Sequence, residues 1–154
     1  MLTSKPDVGA TGRPVPRAAR ALGAVALVLG LATVWAGGRV LFGPEGVRSA
    51  AGQVVPFVLW GNFLAGFAYL AAGVGLAQGH RGAVTLAAAI AGFTGLLALG
   101  FGAHVLAGGA FEARTAWALL FRTALWVAIA TWAWRLRAAR GRGGTGAAGP
   151  GAAR

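Results

Sequence analysis

Residues 54–106 read VVPFVLWGNFLAGFAYLAAGVGLAQGHRGAVTLAAAIAGFTGLLALGFGAHVL, and this stretch decides the fold. Its only charged residue, Arg81, lies in the turn GHRG between two apolar segments. These segments, residues 54–78 and 83–106, each reach the roughly 20 apolar residues that a helix needs to cross the hydrocarbon core of a bilayer. The stretch therefore predicts two transmembrane helices that are joined by a tight turn.

Two further apolar segments flank this central pair, at residues 21–38 and 116–134. A connector that contains Gly43-Pro44 follows the first segment, and a loop that begins at Gly108-Gly109 precedes the last. No alternation of apolar and polar residues of the kind found in β-barrels occurs. The sequence predicts an all-α, polytopic membrane protein, a four-transmembrane-helix bundle at residues 18–136. The basic tails at residues 1–17 and 137–154 are expected to be disordered.

The composition agrees with lipid as the solvent of this chain. Hydrophobic residues make up 57% of it and charged residues 11%, whereas a soluble domain averages about 25% charged residues. The net charge of +11 comes from basic residues that flank apolar segments. We therefore expect the lipid bilayer, and no nucleic acid, as a partner. The absence of cysteine excludes disulfides, thiolate catalysis and Cys-ligated metals.

The distribution of basic residues predicts the orientation of the bundle. Ten of them fall on one side of the membrane and three on the other, namely Arg39, Arg48 and Arg114. The positive-inside rule then places both termini in the cytoplasm of a bacterial cell, with the protein in its inner membrane. Trp35, Trp60 and Trp117 are expected near the outer interface, and Trp132 and Trp134 near the inner one.

Polar residues inside a span are costly and mark candidate functional sites. Arg122 lies about 9 Å below the start of the fourth span. Trp126 follows one turn later, where its ring could stack on the guanidinium. The alternative for Arg122 is that its side chain reaches outward to the headgroups. Asn62 and Tyr69 share one face of the second span, where the plainer interpretation of Asn62 is an interhelical hydrogen bond.

Three more polar residues lie on the outer side. His104 ends the third span, and Glu112 and Arg114 follow in the outer loop. A satisfied interfacial histidine and a solvated ion pair are the alternatives. Our hypothesis is a polar pocket that opens outward, with Arg122 held by Glu112 or by a bound anionic or carbonyl group. Its candidate residues are Asn62, Tyr69, His104, Glu112, Arg114, Arg122 and Trp126.

Familiar catalytic chemistry is missing from the sequence. No Asp or Glu lies within a span, and no metalloprotease, nucleophile-elbow or phosphate-loop motif occurs. His80 and His104 are predicted on opposite sides of the membrane, so a haem with two His ligands from one chain is not expected. The sequence predicts no catalytic residue, no metal site and no cofactor, and it does not favour an enzyme.

Part of the chain, residues 54–130, resembles a family of small, functionally uncharacterised four-helix proteins of bacterial inner membranes. The matching residues are Asn62, Phe63, Gly66, His104, Gly108, Gly109, Glu112, Arg114, Thr115, Arg122, Thr123 and Trp126. Gly61 and Phe111 depart from the family pattern, which has an aromatic residue and Tyr at these positions. The layout is also distantly similar to DoxX-like four-helix proteins, which implies at most an association with membrane redox systems. Neither resemblance implies catalytic residues.

Three functions remain open from the sequence. The first is a non-catalytic accessory or assembly component of a membrane complex, with a membrane protein partner or as a homo-oligomer. The second is a binder of a small quinone-like, haem or anionic ligand in the outward pocket. The third is a small solute transporter that acts as an oligomer, and the absence of repeats and buried acids places it last.

Overall fold

A computed structural model describes residues 15–142, and within them the chain forms five helices and no strand. The helices are α1 (Arg17–Phe42), α2 (Glu45–Ala51), α3 (Pro56–Ala77), α4 (Gly82–Leu106) and α5 (Ala113–Arg142). All except α2 are long and apolar enough to cross a membrane. At 1.5 Å per residue they extend about 33–45 Å, whereas the hydrocarbon core is about 30 Å thick. The predicted all-α four-helix bundle is confirmed, and the chain is a multi-pass membrane protein.

Proline and glycine residues set the ends of these helices. Pro16 and Pro44 precede α1 and α2, and Pro56 is the first residue of α3, where the missing N–H is not needed. The turn between α3 and α4 requires Gly79, whose φ of 73° lies in the left-handed region. The backbone N–H of His80 donates to the carbonyl of Gly75 and closes this turn.

Two segments differ from the sequence prediction. The connector at residues 39–53 contains α2, a single short helix, because an extended Pro44 starts it and the left-handed Gly52 ends it. Helix α5 extends to Arg142, so the first residues of the predicted C-terminal tail are helical. Alanine and arginine are strong helix formers, which explains this extension. Residues 1–14 and 143–154, the rest of the predicted tails, lie outside the described residues.

Helices α1 and α3 are antiparallel and pack closely through glycines spaced seven residues apart. A Cβ atom at Gly23 would lie 2.7 Å from the Gly73 carbonyl oxygen, and one at Gly66 would lie 2.7 Å from a methyl of Val34. A Cβ at Gly30 would lie 3.1 Å from the Gly66 carbonyl oxygen. These contacts leave no room for side chains, so the two helix backbones meet directly.

The remaining core is built from larger side chains. Tyr69 of α3, Ile90 of α4, and Trp126 and Ile129 of α5 form one buried cluster with small residues of all four spans. A second buried cluster joins the beginning of α3 to the second half of α4 and the beginning of α5. Its members are Val55, Val58, Leu97, Phe101 and Leu119. Helix α3 is therefore central, with α1 on one side and α4 on the other.

The outer surface of the bundle is apolar over most of the four spans. Large side chains such as Leu31, Leu64, Leu99 and Phe121 are exposed, as is expected of residues that face lipid and not of a soluble monomer. Five of the six tryptophans are also exposed, namely Trp35, Trp60, Trp117, Trp132 and Trp134. The sixth tryptophan, Trp126, is fully buried.

The two ends of the bundle differ in charge. We call the end that carries α2, together with Glu45, Arg48, Glu112 and Arg114, the α2 end. The opposite end carries the start of α1, the α3–α4 turn and the end of α5. We call it the basic end because its described charged residues are all arginines: Arg17, Arg20, Arg81, Arg135, Arg137, Arg140 and Arg142.

Candidate functional site

A cavity of about 790 Å³ lies at the α2 end and is lined by residues of α1, α2, α3 and α5. Most of its wall is apolar and comes from residues at the beginning of α3 and the end of α1, including Val54, Val58, Leu59 and Val40. Ligand cavities in proteins commonly measure about 300–1,000 Å³. The cavity is therefore large enough for a small organic molecule.

The cavity exists because α1 and α5 do not close the bundle. Helix α1 packs extensively on α3, and α5 packs on α4, but the contact between α1 and α5 is marginal at most. Residues of both helices line the cavity, among them the exposed Trp35 and Ala36 of α1 and the half-buried Ala118 of α5. The gap between α1 and α5 thus faces the lipid side of the bundle.

Three polar side chains lie deepest in the cavity lining: Thr33 of α1, Asn62 of α3 and Arg122 of α5. Thr33 and Asn62 are buried, with 2% and 9% of their surface exposed, and Arg122 is half-buried. Neither the Thr33 Oγ1 nor the Asn62 Oδ1 has a hydrogen-bond partner among the described residues. A buried polar atom without a partner costs about 1–3 kcal/mol. The Thr33 hydroxyl can donate to a ligand oxygen, whereas the Asn62 Oδ1 only accepts, so that only the amide N–H groups of Asn62 suit an oxygen acceptor.

Three other threonines of the spans pair their hydroxyls with the helix backbone, unlike Thr33. The hydroxyls of Thr94, Thr123 and Thr131 each donate to the backbone carbonyl four residues earlier, at 3.0, 2.9 and 2.8 Å. This bond is the ordinary solution for a threonine in a helix. Thr33 does not make it, although it lies in the middle of α1.

Positive charge dominates the electrostatics of the cavity. Arg39, Arg114 and Arg122 all contribute to its lining, and no Asp or Glu does. Arginine presents only donors and keeps its charge at any physiological pH. The lining can therefore receive an anion or a carbonyl oxygen, and it would repel a cation.

Two side chains of the α4–α5 connection and of early α5 attach the α2 segment to the bundle. The Arg114 guanidinium donates to the carbonyl oxygens of Ala50, at 3.0 Å, and of Ala51. The Glu112 carboxylate accepts a hydrogen bond of 3.1 Å from the backbone N–H of Gln53. Helix α2 has no buried residue of its own, so these bonds are its main attachment to α5.

Tyr69 and Trp126 lie deeper in the bundle, beyond the cavity lining. Their rings are 4.7 Å apart and both are fully buried. The Trp126 Nε1 and the Tyr69 hydroxyl lie near each other, but neither has a hydrogen-bond partner of good geometry among the described residues. The ring of Trp126, expected beside the Arg122 guanidinium, packs on Tyr69 instead. Both side chains lie directly below the polar floor of the cavity.

His104 occupies a separate place at the end of α4. Its Nε2 lies 3.2 Å from the Ala110 carbonyl oxygen, and its ring packs edge-on against Phe57. Gly109 fits tightly against this ring. His104 therefore organises the connection between α4 and α5, and it does not line the cavity.

The structure thus divides the seven predicted pocket residues. Asn62, Arg114 and Arg122 share one cavity. Glu112 binds the start of the α3 segment and does not hold Arg122. Tyr69 and Trp126 lie below the cavity, and His104 lies outside it. Arg122 is half-buried and lines the cavity.

Sequence reasoning missed Thr33 and Arg39 as members of the site. A usable signal existed for Thr33, because it is the only polar residue in the predicted span 21–38. Arg39 was considered only in the count of basic residues on each side of the membrane. Its part in the lining depends on the angle at which α1 meets α3, which no local pattern of residues encodes.

No family model, curated protein or solved structure matches this chain. The function is therefore inferred from the residues of the site. Within residues 15–142, no group of three or more His, Asp or Glu side chains is arranged to hold a metal ion.

Proposed function

We propose that the protein binds a lipid-soluble amphiphile whose head carries an anionic or carbonyl oxygen. The observation that carries this proposal is the lining of the cavity at the α2 end, which combines three arginines and a buried asparagine with apolar walls and no acidic residue. Guanidinium and amide N–H groups would bind the head, and the valine and leucine side chains of α3 would contact the apolar body.

The route of entry supports a ligand that comes from the bilayer. The cavity is open where α1 and α5 fail to meet, and lipid surrounds both helices at this depth. An apolar chain that extends through this gap would remain in hydrocarbon while its head reached Arg122. A water-soluble anion would gain nothing from the apolar walls.

The residues that line the cavity suit some of the ligand classes that the sequence left open better than others. No histidine lines it, so a haem bound there would lack a His ligand from this chain. A quinone-like carbonyl compound and an anionic amphiphile both remain suited to the lining, because each presents oxygen acceptors to Arg122 and Asn62.

Binding of two chemical probes tests this function. The full chain would be reconstituted in phosphatidylcholine nanodiscs and titrated with cis-parinaric acid, a fluorescent carboxylate, and in a second arm with a short-chain ubiquinone. We expect saturable binding of at least one probe. Arg122→Gln should weaken it about 10- to 100-fold, because a hydrogen bond to a charged group is lost.

The matched control is Arg48→Gln, which removes an exposed charge from the α2 end without touching the cavity lining. This variant should bind like the wild type. Saturation by neither probe, or equal losses in the two variants, would contradict the proposal.

A second candidate is a non-catalytic component of a membrane complex. The observation that favours it is the outer face of α4, where Gly92, Gly95 and Gly102 have no heavy atom within 4 Å of the position of an added Cβ. Small residues of this kind allow close approach of another membrane helix. Native mass spectrometry from nanodiscs would show a specific partner or a homo-oligomer if this function applies, and a monomer if it does not.

We further propose that the bundle lies in the bacterial inner membrane with both termini in the cytoplasm. The excess of arginine at the basic end supports this orientation, since cytoplasmic segments are enriched in Lys and Arg. Fusions after residue 154 should be fluorescent with green fluorescent protein and inactive with alkaline phosphatase. The opposite pair of results would reverse the orientation.

A further inference from the structure

A second cavity, of about 460 Å³, lies at the basic end of the bundle and is separate from the site described above. Its inner wall is apolar and comes from α1, α3, α4 and α5, with Leu22, Leu76, Val84 and Leu136 as its largest members. Three exposed residues form its polar part: His80, Arg81 and Arg137. The lining is therefore amphipathic, with a cationic rim above an apolar interior.

Among residues 15–142, no acidic residue lies at this cavity. Glu45 and Glu112, the two acidic residues in this range, lie at the α2 end, and Asp7 lies outside the described residues. Arg81 and Arg137 converge on one cavity from different helices, and like charges brought together cost energy unless an anion joins them.

The start of α4 adds to the attraction for an anion. Arg81 precedes the first turn of α4, and no side chain caps this end of the helix. Uncapped N–H groups and the helix dipole give such an end partial positive charge. Arg81 lines the same cavity, so the charge of the helix end and the two guanidinium groups act on one place.

We propose that this cavity binds a phosphate-bearing anion, with Arg81 and Arg137 as the residues that hold the phosphate. Guanidinium groups bind phosphate oxygens through paired N–H donors, and two arginines from different helices can grip one phosphate from two sides. The apolar interior suits the glycerol and acyl portion of a phospholipid. The phosphate could equally belong to a soluble ester, and the test separates these sources.

Native mass spectrometry of the full chain from nanodiscs tests the site. Wild type would be released from discs that contain equal amounts of phosphatidylglycerol and phosphatidylcholine, and the lipid that stays bound would be counted. We expect phosphatidylglycerol to be retained preferentially. Arg81→Gln and Arg137→Gln should each lower this retention about tenfold, because each removes a charged hydrogen bond.

Arg135→Gln is the matched control, because it removes the same charge two residues away on another face of α5 and does not line the cavity. It should change retention less than about threefold, since a diffuse surface charge is screened. An equal loss in Arg135→Gln and Arg137→Gln would overturn the proposal, because the attraction would then be diffuse. The proposal would also be overturned if phosphatidylglycerol and phosphatidylcholine were retained equally and glycerol 3-phosphate did not bind.

A competition arm identifies the source of the phosphate. If millimolar glycerol 3-phosphate displaces the bound lipid or binds in its place, the site recognises a soluble phosphate ester. If the lipid stays bound, the site recognises a phospholipid head. Both results support a phosphate site that involves Arg81 and Arg137, and neither depends on the cavity at the α2 end.

Discussion

Helix α1 has two very different sides within one bundle. Towards α3 it packs through Gly23, Gly30 and Gly37 so closely that the two backbones touch. Towards α5 it leaves a cavity of about 790 Å³. The side that faces α3 carries no charge, whereas Arg39 of α1 and Arg122 of α5 both line the cavity on the open side.

The difference shows that the shape of the facing surfaces, and not their hydrophobicity, decides which helices pack closely in a membrane. All of these surfaces are largely apolar, and lipid tails are as apolar as leucine, so burial from lipid supplies little driving force. Close packing requires small residues that bring backbones together, as on α1 and α3. Where the facing residues include arginines, as on α5, and a bulky aromatic, Trp35 of α1, the helices stay apart and leave a binding space.

The largest expected loss of stability distinguishes a buried tryptophan of α5 from an exposed one. Trp126→Ala should destabilise the protein by about 3–5 kcal/mol, because it opens a cavity in the core. Trp117→Ala should change stability little, since Trp117 is 73% exposed whereas Trp126 is 0% exposed. Unfolding in detergent, followed by circular dichroism, measures both. Equal losses would show that Trp126 is not a core residue.

Disrupting the α1–α3 contact should have the next largest effect. In Gly23→Val, the new side chain would collide with the backbone of α3 at Gly73 and Ala77. We expect a loss of about 1–3 kcal/mol, the usual cost of overpacking. Gly92→Val is the control, because nothing lies within 4 Å of its added Cβ. If both variants behaved alike in the same unfolding measurement, α1 and α3 would not be in direct contact.

The fold could be predicted from the sequence because it follows from local properties. Four apolar segments of spanning length are enough to predict the bundle. The contact that binds α1 to α3 was not predicted, because Gly23, Gly30 and Gly37 are seven apart and are not a distinctive pattern on one helix alone. Such spacing becomes informative only when a second helix, with Gly66 and Gly73, is known to lie opposite.

The candidate site was less accessible to sequence reasoning. Depth along a span follows from residue numbers, so Asn62 and Arg122 could be placed at similar levels. The direction in which each side chain points depends on helix rotation and crossing angle. For this reason Glu112 was expected near Arg122, whereas it binds the N–H of Gln53, and Thr33 was not considered.

A smaller effect, of opposite sign, tests the unpartnered hydroxyl of Tyr69 in the buried core. Tyr69→Phe removes a fully buried hydroxyl that has no hydrogen-bond partner among the described residues. We expect a gain in stability of about 1 kcal/mol, because an unsatisfied polar group is removed while the ring packing stays. A loss of stability in thermal unfolding would show that the hydroxyl has a partner, such as a bound ligand or water.

The most direct test of the ligand site is the substitution Asn62→Leu, measured for both stability and probe binding in nanodiscs. Asn62 is buried at the cavity floor with an unpartnered Oδ1. We predict that the ligand-free protein becomes more stable, by about 1 kcal/mol, while binding of cis-parinaric acid or the ubiquinone weakens about tenfold. Thr94→Val, outside the cavity, should leave binding unchanged. An Asn62→Leu variant that binds both probes as the wild type does would contradict the assignment of this cavity as the binding site.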